Sequence, residues 1–314
     1  LKVLHTSDWH LGKKLFKKDR LPEQELFLDW LLEKIDSEKP DILVVAGDIF
    51  DTPIPSTNAL RLYFRFLKEC DKRSITSSGS LQKVIILAGN HDSGRLIESP
   101  NPFLESELFQ VVGNLVGPND PSLMEGPNLE ERFTTKSDIE DTSYNFVTLP
   151  FFRVRELLNG LSIDEKSPYS FEDLLIKTLK EWLDCLFDKK AKNILIGHHL
   201  FGSFMESGSE QTVSLSGLDS LPISLFQEWD LLTLGHIHKP QVIKKVAPLA
   251  VYCGSPIQMR FSESSNKSIS LYQFNPNDQI LHEKIKIPIF RNLKRIALDS
   301  INWKEEFEHQ LKDI

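Results

Sequence analysis

Cysteine is scarce in this sequence, and what there is stands scattered. Cys70, Cys185 and Cys253 lie far apart and form no C-x-x-C pair, which argues against a disulfide framework and against a thiolate metal site and leaves reduced, buried thiols as the expectation. Long hydrophobic runs are missing too: none approaches the ~20 residues a bilayer span needs. The opening Leu1-Lys2-Val3-Leu4 reads as a strand, without the charged region and apolar core of a secretory signal. A cytoplasmic protein with no membrane contact is expected. Internal repeats and low-complexity tracts are also lacking. Positive charge is in deficit, with 37 Lys and Arg against 45 Asp and Glu and a net charge of −8. Such a chain grips polyphosphate weakly by its overall charge. Any nucleic-acid role must rest on metal ions neutralising an acidic centre or on local clusters. Lys13, Lys14, Lys17, Lys18 and Arg20 form one such cluster. It reads equally as a solvated loop and as a contact for the DNA backbone.

What is present is an ordinary globular composition, 40% hydrophobic and 26% charged over 314 residues, enough for a sizeable core. Short apolar runs alternate with amphipathic segments through the first two thirds, the pattern of an α/β layer fold. Residues 41–46, 84–88 and 193–196 read as buried strands. Leu26, Phe27, Trp30, Leu31 and Ile35 recur at helical spacing, as do Leu60, Tyr63, Phe64 and Leu67. A third helix is expected after Ser170, a good N-cap, with Leu174, Leu175, Leu179, Trp182, Leu183 and Leu186 inward. Residues 117–144, rich in Pro, Asn, Asp, Glu and Ser, read as an exposed excursion. Residues 268–272 resemble an outer strand and 284–289 another. Beyond Arg291 a strand and a polar helix open what reads as a second small domain.

The histidines carry the chemistry. Six of the nine fall directly after apolar strands: His10, His91, His198 with His199, and His236 with His238. Strand ends are where active sites of open α/β sheets collect, so these residues can converge though distant in sequence. The blocks are Ser7-Asp8-Trp9-His10-Leu11-Gly12, Gly47-Asp48-Ile49-Phe50-Asp51, Gly89-Asn90-His91-Asp92, Gly197-His198-His199 and Gly235-His236-Ile237-His238. In D-x-H and H-x-H the two side chains share one side of an extended chain. Imidazole, carboxylate and amide oxygen together suit Mn²⁺ or Fe²⁺ better than Mg²⁺ or Ca²⁺.

In this order the five blocks resemble the calcineurin-like metallophosphoesterase superfamily. Within it, His5-Thr6-Ser7-Asp8-Trp9-His10-Leu11-Gly12, Gly47-Asp48-Ile49-Phe50-Asp51-Thr52, Gly235-His236-Ile237-His238-Lys239-Pro240-Gln241 and Tyr252-Cys253-Gly254-Ser255-Pro256-Ile257 are similar to the SbcD nucleases, counterparts of the Mre nucleases. The resemblance implies a four-layer α/β/β/α sandwich over residues 1–287, with the beginning of a small α/β domain that caps DNA over 288–314. It implies one metal on Asp8, His10, Asp48 and His238 and a second on Asp48, Asn90, His198 and His236, bridged by Asp48. The expected ions are two Mn²⁺, with Fe²⁺ the alternative. Either His198 or His199 could face the metals; His198, directly after the glycine, is the expected ligand. His91 is left for proton transfer. Asp51 either orients it through a hydrogen bond or merely caps a loop. The implied partners are DNA, a second copy of the chain and an SbcC-type ABC ATPase. The implied activities are 3′–5′ exonuclease action on duplex ends and endonuclease action on single strands and hairpins. A phosphoprotein phosphatase or small-molecule phosphodiesterase is the alternative, since the metal centre does not choose the substrate. A catalytically silent scaffold would show decayed ligand positions, and a structural metal site would be rich in cysteine; neither pattern is seen.

Overall fold

Apolar runs buried on both faces set the frame of the protein. The computed structural model describes residues 1–75, 80–101, 107–124, 126–139, 141–160, 170–210, 220–275 and 279–293. In chain order the elements are β1 (Lys2–Thr6), β2 (Lys14–Leu15), β3 (Lys18–Asp19), α1 (Leu21–Glu38), β4 (Ile42–Ala46), α2 (Thr57–Ile75) and β5 (Lys83–Leu87). Then come α3 (Gly94–Glu98), β6 (Phe109–Val112), α4 (Leu129–Phe133), β7 (Thr134–Ile139), β8 (Thr142–Leu149), α5 (Val154–Leu157) and α6 (Phe171–Leu186). The last are β9 (Lys192–Gly197), β10 (Leu231–Leu234), β11 (Gln241–Lys244), β12 (Leu249–Tyr252), β13 (Ser268–Phe274) and β14 (Ile280–Lys286). One sheet has the order β14-β13-β1-β4-β5-β6, the other β11-β12-β10-β9-β8-β7, and β2 and β3 form a separate hairpin. The runs β1-β4-β5-β6 and β8-β9-β10-β12 are parallel, and the pairings made by β13, β14, β11 and β7 are antiparallel.

Strand alternation builds the layers. Along β4, Leu43 and Val45 point to one face and meet Phe27 and Leu31 of α1 and Phe66 of α2. Ile42, Val44 and Ala46 point to the other and meet Ile194, Ile196 and Leu231 of the second sheet. That sheet's far face, with Leu195 and Leu232, is covered by Leu175, Leu179 and Trp182 of α6. Helix, sheet, sheet, helix is thus a four-layer sandwich, and strands buried on both faces read as unbroken apolar runs. Among the described residues no helix is long and apolar enough to cross a membrane.

Several expectations need correction. Leu26 and Phe64 are exposed, because Phe27 and Leu28, and Leu62 and Tyr63, occupy the inward arcs one or two residues away. Cys185 is exposed, unlike Cys70 and Cys253. The stretch 117–144 is only partly an excursion: Asn128 closes a capping box on α4, Phe133 is buried, and β7 pairs with β8. Its polarity misled because β7 is an edge strand held by backbone pairing, with Thr135 alone of its six residues buried. β13 is not outermost; β14 covers it, and the last strand lies at Ile280–Lys286, upstream of the expected 284–289. The expected strand and helix of a second domain fall on 294–314, outside the described residues.

His5 makes stability pH-dependent. It is fully buried in β1, with Nδ1 3.2 Å from the Tyr272 hydroxyl and, among the described residues, no partner for Nε2. Burial, and then the neighbouring His282, push its pKa down from 6.5 to about 3. Between those values the unfolded chain takes up a proton that native His5 refuses. Its contribution is therefore whole above pH 6.5 and is lost as the pH falls toward 3, at up to about 1.4 kcal/mol per pH unit. Urea midpoints measured from pH 7 to 4 should fall less steeply for His5→Phe than for the parent. Parallel slopes would remove His5 as the cause.

Candidate metal centre

Parallel strands collect this site at one edge of the sandwich. β4 lies against β9 and β10 of the facing sheet, so the loops leaving the carboxyl ends of β1, β4, β5, β9 and β10 converge. The convergence is not made by extended chain, as the D-x-H and H-x-H spacing suggests. Asp8, His10, Asp48 and His236 all sit in the left-handed region, at φ of 54°, 47°, 51° and 88°, a conformation uncommon outside glycine and concentrated at functional sites. Backbone bonds hold them there: Asp8 N donates to Gly47 O at 3.0 Å and His10 N to Asp48 O at 2.9 Å. His236 N donates to the Asp8 carboxylate at 2.9 Å. Gly47, itself at φ 86°, passes so close to His198 that a Cβ would overlap the imidazole.

The side chains fall into two overlapping groups. In the first, His10 Nε2 lies 3.1 Å from His238 Nε2 and 3.4 Å from Asp48 Oδ2, and His238 Nε2 lies 4.0 Å from Asp8 Oδ1. One donor atom from each of Asp8, His10, Asp48 and His238 fits within 4.8 Å, a spacing that could hold a metal ion. In the second, Asn90 Oδ1 lies 3.2 Å from His198 Nε2 and 2.8 Å from His236 Nδ1, while Asp48 Oδ1 lies 3.4 Å from His198 Nε2. Asp48 thus turns one oxygen to each group.

The ambiguous doublet separates. His199 faces away, its ring 5.0 and 4.4 Å from those of Phe151 and Phe152, and its Nε2 accepts from Phe152 N at 3.1 Å. His198 donates from Nδ1 to Ala46 O at 2.7 Å, which turns its Nε2 to the site. His91 is half-buried beside His10, and its Nδ1 donates to the backbone carbonyl of Asp51 at 2.9 Å. The hydrogen bond expected between Asp51 and His91 is thus made by the Asp51 main chain and not by its carboxylate. The carboxylate instead lies 3.5 Å from His10 Nδ1 and accepts from Lys13 Nζ at 2.8 Å.

Residues without a sequence signal complete the shell. His238 Nδ1 donates to Ser209 Oγ at 2.6 Å, Ser209 Oγ donates to Glu263, and Glu263 is paired with Lys267 at 2.7 Å, Glu263 and Lys267 both buried. The relay leaves the His238 Nε2 lone pair facing the other donors. Glu210 accepts from His238 N at 2.9 Å. Asp92 accepts from the backbone N–H groups of Ile49, Phe50 and Gly89, tying the β4 and β5 loops together. Nothing in the spacing marks Ser209, Glu210 or Glu263, because only the tertiary fold brings them to His238.

Electrostatics fit a cation pair. Burial raises the Asp8 pKa to about 6, with Asp48 repelling and His198 and His10 opposing. Asp48 resists its own burial and stays well below the usual range because His198 and His10 attract its charge. Burial disfavours a charged His198, yet Asp48 holds its pKa up to about 9. Burial, with His198 or His10 adding repulsion, keeps His236 and His238 neutral. Burial also lowers His91. Two buried carboxylates, neutral imidazole lone pairs and an amide oxygen are the donor set that divalent transition metals take, with proton release from His198 on binding.

Residues 1–240 match the family model described as calcineurin-like phosphoesterase. The SbcD subunit of the nuclease SbcCD of Escherichia coli (strain K12) is 29% identical over 324 residues, an alignment covering 100% of this chain and 75% of that protein. Its counterpart in Bacillus subtilis (strain 168) is 28% identical over 287 residues, 91% of this chain and 69% of that one. Among solved structures, a dimetal phosphatase from Danio rerio superposes with a TM-score of 0.50 at 12% identity, covering 90% of this chain and 95% of that one. That likeness concerns the fold.

The relay behind His238 predicts a measurable effect on cation binding. Outer partners of a ligating histidine typically set ~10–100-fold in metal affinity. Ser209→Ala should weaken Mn²⁺ binding by that order, seen as a smaller Mn²⁺-dependent rise in Tm and in direct titration. Unchanged affinity would show that the relay does not act on a bound cation.

Proposed function

We propose that this chain, which belongs to the calcineurin-like phosphoesterase family, is the nuclease subunit of an SbcCD-type complex and hydrolyses phosphodiester bonds of DNA with two Mn²⁺ ions. The observation that carries the reading is the Asp48 carboxylate, which turns Oδ2 to His10 and Oδ1 to His198 at 3.4 Å each. That arrangement suits one carboxylate shared by two cations. In this reading Asp8, His10, Asp48 and His238 hold one ion, and Asp48, Asn90, His198 and His236 the other. When bound, such a pair supplies an activated water and charge that stabilises an in-line displacement at phosphorus. The relatives' names, each a nuclease subunit over nearly all of this chain, support DNA as substrate.

The chain's own groups do the rest. His91 commits its Nδ1 proton to the Asp51 carbonyl, so Nε2 is the atom that hands a proton to the departing sugar oxygen. A phosphate arriving beside it offsets the burial that lowers its pKa. The Asp51 carboxylate, 3.5 Å from His10 and anchored by Lys13, steadies His10. The charge of −8 leaves little general attraction for duplex DNA. We assign efficient attack on duplex ends, 3′–5′, to a homodimer joined by an SbcC-type ABC ATPase, and slower cutting of single strands and hairpins to the chain alone. The cytoplasm is the matching location. Of the basic cluster, Lys14, Lys17 and Lys18 are exposed and serve the DNA backbone. Arg20 is withdrawn from that role, being buried and paired with Glu23.

Three measurements test this. His91→Ala should abolish cleavage of a labelled oligonucleotide and retain both ions by elemental analysis, whereas Asp48→Ala should lose ions and activity together; loss of an ion from the His91 variant would end its role as a free acid. Cleavage should be much faster in saturating Mn²⁺ than in Mg²⁺, and DNA should be preferred to p-nitrophenyl phosphate; the reverse preference would favour a phosphatase. Replacing Lys14, Lys17 and Lys18 by Gln should flatten the salt dependence of DNA binding by roughly one slope unit per active contact, with metal content unchanged. An unaltered slope would return those lysines to solvent.

A further inference from the structure

Two phenylalanines lie in the open beside the metal centre. Phe16, at the tip of the β2–β3 hairpin, is 80% exposed, and Phe261 is 38% exposed. Their ring centroids are 5.7 Å apart with planes tilted by 46°. They wall a groove of ≈ 630 Å³ that Lys13, Lys14, Met259 and Arg260 complete. The hairpin turn places Phe16 and Lys17 at φ of 47° and 66°, a costly backbone for non-glycine residues. The left-handed pair is the ordinary geometry of a two-residue hairpin turn, but a phenylalanine ring left in water at its tip is an arrangement that folding alone does not favour.

The groove is built from the same braces as the metal centre. On one side, Lys13 reaches Asp51, which lies against His10. On the other, Met259 N donates to Glu263 at 3.0 Å and Gln258 Nε2 donates to Glu263 O at 2.7 Å. Glu263 is the residue that reaches His238 through Ser209. Arg20, at the foot of the hairpin, closes the two sides by donating to Gln258 O at 2.7 Å. The aromatic pair is thereby fixed relative to both His10 and His238.

We infer that Phe16 and Phe261 form a base-stacking platform that seats an unpaired nucleotide of single-stranded DNA beside the metal centre. This rests on the nuclease reading and adds to it how a flexible strand is held. Aromatic faces set among cations are the recurrent solution for sequence-tolerant binding of single strands, the rings taking bases and the cations taking phosphates. A protein partner is the other class of occupant, and Phe, Met and Arg suit either, but lysine is depleted at protein interfaces, whereas Lys13 and Lys14 rim this groove. Bases of a paired duplex are stacked on one another and have no free face to offer. The platform therefore selects frayed ends and loops.

The test uses the full chain in chelator with fluorescent dT12 and an abasic strand of equal length. The parent should bind dT12 more tightly than the abasic strand. Phe16→Ala and Phe261→Ala should each weaken dT12 binding by roughly tenfold, leave abasic binding unchanged, and keep the Mn²⁺-dependent rise in Tm as proof of an intact fold. Phe16→Trp should restore dT12 binding. Equal binding of dT12 by parent and variants, or equal binding of the two strands by the parent, overturns the platform. So does a change confined to oligomeric mass or to association with the ATPase, which would mark a protein-docking site. The nuclease reading fails separately, if the parent in Mn²⁺ cuts no DNA at all.

Discussion

One buried carboxylate organises this molecule. Asp48 is 1% exposed, and an ionised carboxylate is tolerated at such depth only when its charge is matched. The matching groups are His10 and His198, drawn from different sheets, and the His91 N–H at 2.9 Å. Three strands that are remote in sequence must therefore end at one point for Asp48 to be accommodated. Its own left-handed backbone and that of Asp8, His10 and His236 are local costs accepted for that convergence. A divalent cation on either oxygen would relieve the same charge more strongly than an imidazolium does, which couples metal binding to the stability of the whole site.

Buried ion pairs have a second use here, in holding loops that carry no regular structure. Arg20 and Glu23 form a bidentate pair, each about 2% exposed, and Arg291 reaches Glu23 at 3.1 Å. The pair fastens the start of α1 to the 256–258 turn and to the chain leaving β14. Glu263 and Lys267 act likewise on the 258–263 loop and on His238 and Ser255. Such pairs contribute little net stability, because desolvation offsets most of the attraction. Their effect is geometric: they fix which way His238 and the groove residues face.

The layered fold was legible because buried parallel strands read as apolar runs, and the helices because their inward arcs repeat at helical spacing. The site was legible as a set of blocks, since Asp8, His10, Asp48, Asn90, His198, His236 and His238 all follow strand ends. What escaped did so for physical reasons. β7 is polar because an edge strand needs no apolar faces. The D-x-H geometry depends on left-handed φ angles, to which Asp and His are biased too weakly for spacing alone to reveal them. Asp51 binds His91 through its carbonyl, an atom every residue has, so which atom makes the bond is not legible in the residue type. Ser209 and Glu263 lie 29 and 25 positions from His238 on opposite sides, and only folding joins them. Arg20 reads as part of a basic loop until Glu23, one helical turn on, claims it.

The division of labour between chemistry and grip follows from these constraints. A site made of buried acids and imidazoles cannot also be surrounded by dense positive charge, because nearby Lys or Arg would compete with the cations for Asp8 and Asp48. Lys13 shows the compromise: it stands close to the centre but is neutralised by Asp51. Cations free to meet a polyanion are displaced outward, to Lys14, Lys17, Lys18 and Arg260, where Coulomb attraction is screened within about a Debye length of ~8–10 Å. Stacking on uncharged rings escapes that conflict. It adds affinity at short range without perturbing the carboxylates, and it works best where a base is already unpaired. An acidic chain with the Phe16 and Phe261 rings exposed in the groove that Lys13 borders gains short-range affinity by this route without adding charge near Asp8 and Asp48.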